Sequence, residues 1–152
     1  MSRKSLIFLL FLIVLPVVVY LIWPSDESRI QKLVKEGAET IEKEDIDKTM
    51  SKVSFNYQDD IGLNYMLLRK ILERQFAALE EIDIECENLS VRVDKDKATA
   101  SLDVRALATS EGGGQRGYIF GDLKEPARLS LELEKGTAGR WLVVNASGLR
   151  NY

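Results

Sequence analysis

The chain has 152 residues, 21 basic against 24 acidic for a formal charge of −3, one cysteine and no histidine. A single cysteine excludes an internal disulfide, and a chain without histidine lacks the commonest general base and metal ligand, so neither a metal centre nor a cofactor is expected. The acidic balance excludes the basic stripe that a nucleic-acid partner would call for.

The first element is the stretch Ser5 to Trp23, SLIFLLFLIVLPVVVYLIW, which contains no charged residue. A bilayer core is about 30 Å thick and needs about 20 apolar residues to cross as a helix. A soluble core helix would show a polar stripe every three or four residues, and none is present. Pro16 is tolerated in a membrane helix as a kink. Tyr20 and Trp23 fall where amphipathic rings favour the headgroup region. Arg3 and Lys4 precede the run, whereas Asp26 and Glu27 follow it. The positive-inside rule therefore predicts a cytoplasmic N-terminus and a domain outside. The alternative is a cleaved signal peptide and a secreted domain, but Val19 to Pro24 offers no small-x-small cleavage pattern.

Residues 1–23 are thus read as a cytoplasmic tip and transmembrane anchor, and residues 24–152 as one extracytoplasmic domain. Taking Arg3 and Lys4 from the 21 basic residues leaves the domain 19 against 24 acidic, a charge of −5. Mild acidity of this kind supports solubility.

Ser25 is a fitting N-cap, with Asp26 and Glu27 in the first turn. Ile30, Leu33, Val34, Ala38 and Ile41 recur at helical spacing, so a helix is expected over Asp26 to Lys43. The charges at Glu36, Glu39, Glu42 and Lys43 read as its solvated face. Asp45 caps a short second helix with Ile46, Met50 and Val53 inward. Ser54 to Gly62 is a turn-rich break. Asn64 then caps a third helix ending near Glu80, with Tyr65, Leu68, Leu72, Phe76 and Leu79 as its stripe.

From Ile82 the period changes to two. Ile82, Ile84 and Cys86 alternate with acids, which makes Cys86 a buried small residue on this pattern. The phase shifts to Leu89, Val91 and Val93, which requires a bulge near Asn88. Asp94 to Lys97 is a hairpin turn, and Ala98 to Ala106 continues the alternation. Asp94 and Asp96 have the spacing of two calcium ligands, but the other ligands of such a loop are missing. Ser110 to Gly117 is a flexible loop; it lacks the Lys-Ser/Thr ending of a phosphate loop and opens no helix. Tyr118 to Phe120 forms a short strand, and core packing is the expectation for both Tyr118 and Trp141. Strands from Pro126 and over Trp141 to Ala146 complete a meander, with Gly136 to Gly139 between them.

Helices first and an antiparallel meander afterwards argue for an α+β domain, three helices packed on a curved sheet. Small residues at Ala98, Ala100, Ala106 and Ala108 leave room for a cavity between the layers. The sharpest chemical group is Tyr57, Asp59 and Asp60, because a carboxylate beside a phenol at a cavity mouth can act as base and hydrogen-bond donor. The opposing reading is structural: an Asp ahead of a Gly turn closes an Asx-turn, and a buried Tyr hydrogen-bonds its hydroxyl.

This order of elements, together with the segments Ile41-Glu-Lys-Glu-Asp45-Ile46 and Ser54-Phe-Asn-Tyr57-Gln-Asp59-Asp60-Ile-Gly62, resembles the nuclear transport factor 2-like (SnoaL-like, cystatin-like) superfamily. Ala98-Thr-Ala100 and Arg140-Trp141-Leu-Val-Val144 add to the likeness, which covers Asp26 to Leu149. The resemblance implies a cone-shaped sheet and, by analogy with the superfamily, a homodimer. Enzymes that resemble this fold usually add an inward His or Asp from the sheet. Here there is no His, and Asp103 and Glu132 fall on the polar phase. The reading is therefore a membrane-anchored binding or assembly module, leaning away from catalysis. Its expected partner from the sequence is the lipid bilayer through Ser5 to Trp23; the resemblance to anchored members of bacterial envelope machines implies a periplasmic domain and a protein partner in the cell envelope. The alternative is a small-molecule enzyme of isomerase, dehydratase or hydrolase type acting on a hydrophobic substrate in the cone, with Asp59 or Asp60 as base and Tyr57 as donor.

Overall fold

A computed structural model describes the backbone of residues 3–149 and the side chains of residues 10–149. The side chains of Arg3 and Lys4, on which the predicted direction of insertion rests, lie outside the described residues. Helix α1 (Arg3–Ile22) contains Pro16, and its described side chains are all exposed. It is long and apolar enough to span a membrane or serve as a signal anchor, and none of its described residues is buried against the domain.

Three capped helices follow. In α2 (Asp26–Glu42) the Ser25 side chain accepts from the Ser28 amide. In α3 (Ile46–Met50) Asp45 accepts from the Lys48 amide. In α4 (Tyr65–Ala78) Asn64 accepts from the Leu67 amide. Each cap satisfies an amide that the helix leaves without a partner. The apolar spacing of α2 buries Ile30 and Val34 against the sheet, at about 1.5–3 kcal/mol for each fully buried side chain. Helix α4 is different, since no residue of it is fully buried.

The strands are β1 (Leu79–Asp94), β2 (Lys97–Ser110), β3 (Arg116–Phe120), β4 (Ala127–Lys135) and β5 (Trp141–Ser147). They form one antiparallel sheet in the order β1-β2-β4-β5, with β3 pairing the far part of β2. The register of β1 on β2 shifts between Glu87 and Ser90, where Asn88 has φ 52°. This is the expected bulge. A second shift, at Glu81 with φ 52°, was not foreseen. Ala98, Ala100, Leu102 and Val104 of β2 face Ile30, Val34 and Leu133 in the core. The result is the expected α+β domain, helices on one face of an antiparallel sheet.

Three expectations need correction. Cys86 is exposed. It lies on the edge strand β1, and an open groove between that strand and α2, lined by Val34, Ala38 and Glu42 opposite Ile84 and Cys86, leaves it accessible. Tyr118 is 38% exposed, because β3 adds a short flap with no helix over it. The acids of α2 are not a simple solvated face: Glu42 accepts from the Ile84 amide at 2.8 Å, and Glu36 lies 3.4 Å from the Lys52 ammonium.

Candidate functional site

Between the helices and the sheet lies a cavity of about 270 Å³. Helix α2 contributes Leu33 and Val34, α4 contributes Leu68 and Leu72, and β2 contributes Leu102 and Val104. Polar groups at its wall are Thr49, Lys52, Tyr57 and Cys86. Lys52 is turned toward Glu36. Among the described residues no carboxylate or imidazole lines this space. The acids of the sheet are occupied elsewhere: Asp103 accepts from the Asn88 amide group at 2.8 Å, and Glu132 accepts from the Asn145 side chain at 3.3 Å.

The turn Ser54 to Gly62 brings two of the three singled-out residues together. Tyr57 is 3% exposed and Asp59 8%, and the Tyr57 hydroxyl donates to Asp59 Oδ2 at 2.9 Å. The other carboxylate oxygen accepts from the amides of Ile61 at 3.1 Å and Leu63 at 2.7 Å. Burial, followed by the neighbouring Asp59, pushes the Tyr57 phenol above its ordinary range. Tyr57 shows the cavity a ring whose hydroxyl is already committed. Asp59 is saturated by three donors and closes the turn leading into α4. Asp60 is exposed; its charge adds a smaller upward push on the Tyr57 phenol.

A second constellation joins distant parts of the chain. Asp26, the first residue of α2, accepts from the Trp141 indole Nε1 at 3.0 Å and from Lys135 Nζ at 3.0 Å. Those bonds, the Trp141 one first, hold the Asp26 carboxyl below its ordinary range. The Arg29 guanidinium lies 5.9 Å from the centre of the Trp23 ring, within cation–π reach. Sequence reasoning had placed Asp26 in a helix first turn and Trp141 in the core. Their meeting across 115 residues carries no local signal beyond the unsatisfied N–H that a buried Trp must place somewhere.

Neither a protein-family model nor a curated protein matches the chain. Solved structures do. A candidate aromatic ring hydroxylase from Novosphingobium aromaticivorans superposes with a TM-score of 0.68 at 19% identity, over 80% of this chain and 85% of its own. A candidate scytalone dehydratase from the same organism gives 0.67 at 11% identity, over 78% of each chain. A nuclear transport factor 2-like superfamily protein from Salmonella enterica serovar Typhimurium gives 0.65 at 13% identity, over 79% of this chain and 87% of its own. The domain has the cystatin-like fold of these proteins. At such identities the likeness establishes fold and leaves function to the site.

Proposed function

We propose that the chain is a membrane-anchored binding module whose cone holds a small apolar ligand on the extracytoplasmic side. The observation that carries this reading is the cavity itself: about 270 Å³, walled by aliphatic side chains, with no carboxylate or imidazole among the described residues. Apolar lining without an acid–base pair favours binding over turnover. The test uses the full chain purified in mild non-ionic detergent. Its organic extract should be enriched in an apolar molecule that is lost from Ala38→Leu, a variant that fills the cavity from α2. Identical extracts from the two proteins would refute it.

Pairing of two copies and a protein partner in the cell envelope belong to the same proposal. Complexes that survive mild detergent should exceed the monomer mass, and a lone monomer would count against both. The direction of insertion is tested by the single thiol. A membrane-impermeant maleimide added outside spheroplasts should label Cys86, and labelling only after lysis would reverse the topology.

A second reading, an enzyme on a hydrophobic substrate, draws on two supports. Solved neighbours include a candidate hydroxylase and a candidate dehydratase, and Tyr57 is at the cavity wall. It requires Asp59 or Asp60 as base. Unchanged turnover in both Asp59→Asn and Asp60→Asn would end it.

A further inference from the structure

A cleft of about 410 Å³ runs between the first half of α2 and the turn joining β4 to β5. Arg29, Lys32, Lys52 and Arg140 line it against one acid, Glu36. Such a gathering is unexpected in a chain with a net charge of −3. Neutralisation inside it is incomplete. Glu36 is shared by Lys32 at 3.7 Å and Lys52 at 3.4 Å. Asp26 is shared by Lys135 at 3.0 Å and Arg29 at 4.0 Å. Arg140 is exposed and has no ion-pair partner among the described residues. Counting the Asp26–Lys135 pair that adjoins the cleft through Arg29 and Trp141, five cations meet two carboxylates.

The cleft lies at the end of the domain that α1 enters. Trp23 follows directly on α1, and Arg29 lies against its ring. Asp26 ties the β4–β5 turn to the start of α2 through Lys135 and Trp141, so Arg140 is held at the same end of the domain. Lys32 lies only about 9 Å along the helix from Asp26 at 1.5 Å per residue, about one Debye length at physiological salt. Leu33, Trp141 and Leu142 give the cleft an apolar floor. A guanidinium fork and ammonium groups above such a floor suit a phosphodiester with a glyceryl neighbour.

We propose that this cleft binds the phosphate of an anionic phospholipid in the leaflet from which α1 emerges. The inference rests on the anchored reading given above.

The test titrates the full chain in non-ionic micelles with phosphatidylglycerol or phosphatidylcholine and counts retained lipid by native mass spectrometry. Phosphatidylglycerol should be retained and phosphatidylcholine should not. Lys32→Ala and Arg140→Ala should each weaken retention about fivefold, the worth of one basic side chain at an anionic surface. Lys124→Ala, in the loop between β3 and β4 at the other end of β2, should have no effect. Equal loss in Lys124→Ala, or none in the two cleft variants, overturns the assignment. Inorganic phosphate at millimolar concentration should leave lipid retention intact; displacement by it would make the cleft a soluble-anion site and overturn the lipid. Alkaline carbonate extraction of native membranes separates the two levels. Release of the chain defeats the anchor and this inference together. A chain that stays in the membrane, with cleft variants that bind normally, defeats the cleft alone.

Discussion

Asp59→Ala removes the acceptor for three donors at once. The Ile61 amide sits in an exposed turn and recovers a bond to water, but the Leu63 amide and the buried Tyr57 hydroxyl do not readily do so. A buried donor left unmade costs about 1–3 kcal/mol, so the variant should lose about 3 kcal/mol of folding stability. Tyr57→Phe deletes one hydrogen bond to a charged acceptor and leaves Asp59 on its two amides, a loss of about 2 kcal/mol. Asp59→Asn keeps the carbonyl for the amides and should cost less than either. Urea unfolding of the full chain in non-ionic micelles measures all three. A double-mutant cycle over Tyr57→Phe and Asp59→Asn should give a coupling of about 1–2 kcal/mol. The pair also has a pH signature. The phenol is held above its unfolded value near 10, so its share of stability is complete below that pH and is lost as pH rises toward the folded value. The gap between wild type and Tyr57→Phe should therefore narrow in strong alkali. An Asp59→Ala protein within about 0.5 kcal/mol of wild type, the range of an inert surface change, would refute the structural role. The two residues would then be free for chemistry.

Three further outcomes are expected. Asp26 is held below 3.8 in the folded protein, so its contribution is present above that pH and is lost as pH falls through the folded value; Asp26→Asn should cost about 1 kcal/mol, discounted for a partly exposed side chain, and parallel acid-unfolding curves for the two proteins would contradict this. Gly148 has φ 96°, and a Cβ there would run into the Arg128 carbonyl oxygen. Gly148→Ala should therefore lose about 2 kcal/mol or more in thermal unfolding, and an unchanged midpoint would show that the backbone yields. Although Cys86 is exposed as a residue, its thiol sits among α2 side chains, and that partial desolvation first, and the Glu42 charge second, raise it; its reaction with a disulfide reagent near pH 8 should be slower than that of free cysteine, and an equal rate would contradict the raised value.

The helix starts were legible because Ser25, Asp45 and Asn64 are residue types whose short side chains bond nearby amides, which is a local event; the end of α4 was not, since Leu79 and Glu80, expected in the helix, open β1. The bulge at Asn88 was legible for a related reason, since Asn tolerates positive φ and the apolar phase visibly slips there. The bulge at Glu81, φ 52°, has no such marker: Glu is not a residue type that favours positive φ, and it falls just after α4 gives way to β1. The exposure of Cys86 was hidden because alternation tells which face a residue takes and not whether a helix covers it. The saturation of Asp59 was half legible, as a turn-closing Asp. Its bond to Tyr57 depends on both side chains being buried together. The basic cleft was invisible, since its cations come from α2, the segment after α3 and the β4–β5 turn, and only the folded sheet brings them together.

The connection from Trp23 to Ser25 has a consequence for encounter. Three extended residues reach about 10 Å, the bonds from Asp26 to Lys135 and Trp141 fix the domain end of that link to the sheet, and Arg29 reaches back to within 5.9 Å of the centre of the Trp23 ring. With α1 in a bilayer, the domain meets its ligands in a layer about one molecule deep, where effective concentration depends on membrane area and not on cell volume. For the apolar ligand proposed for the cone, weak intrinsic affinity would then suffice. Lengthening the link with glycine and serine should dilute the encounter without altering a single contact inside the domain.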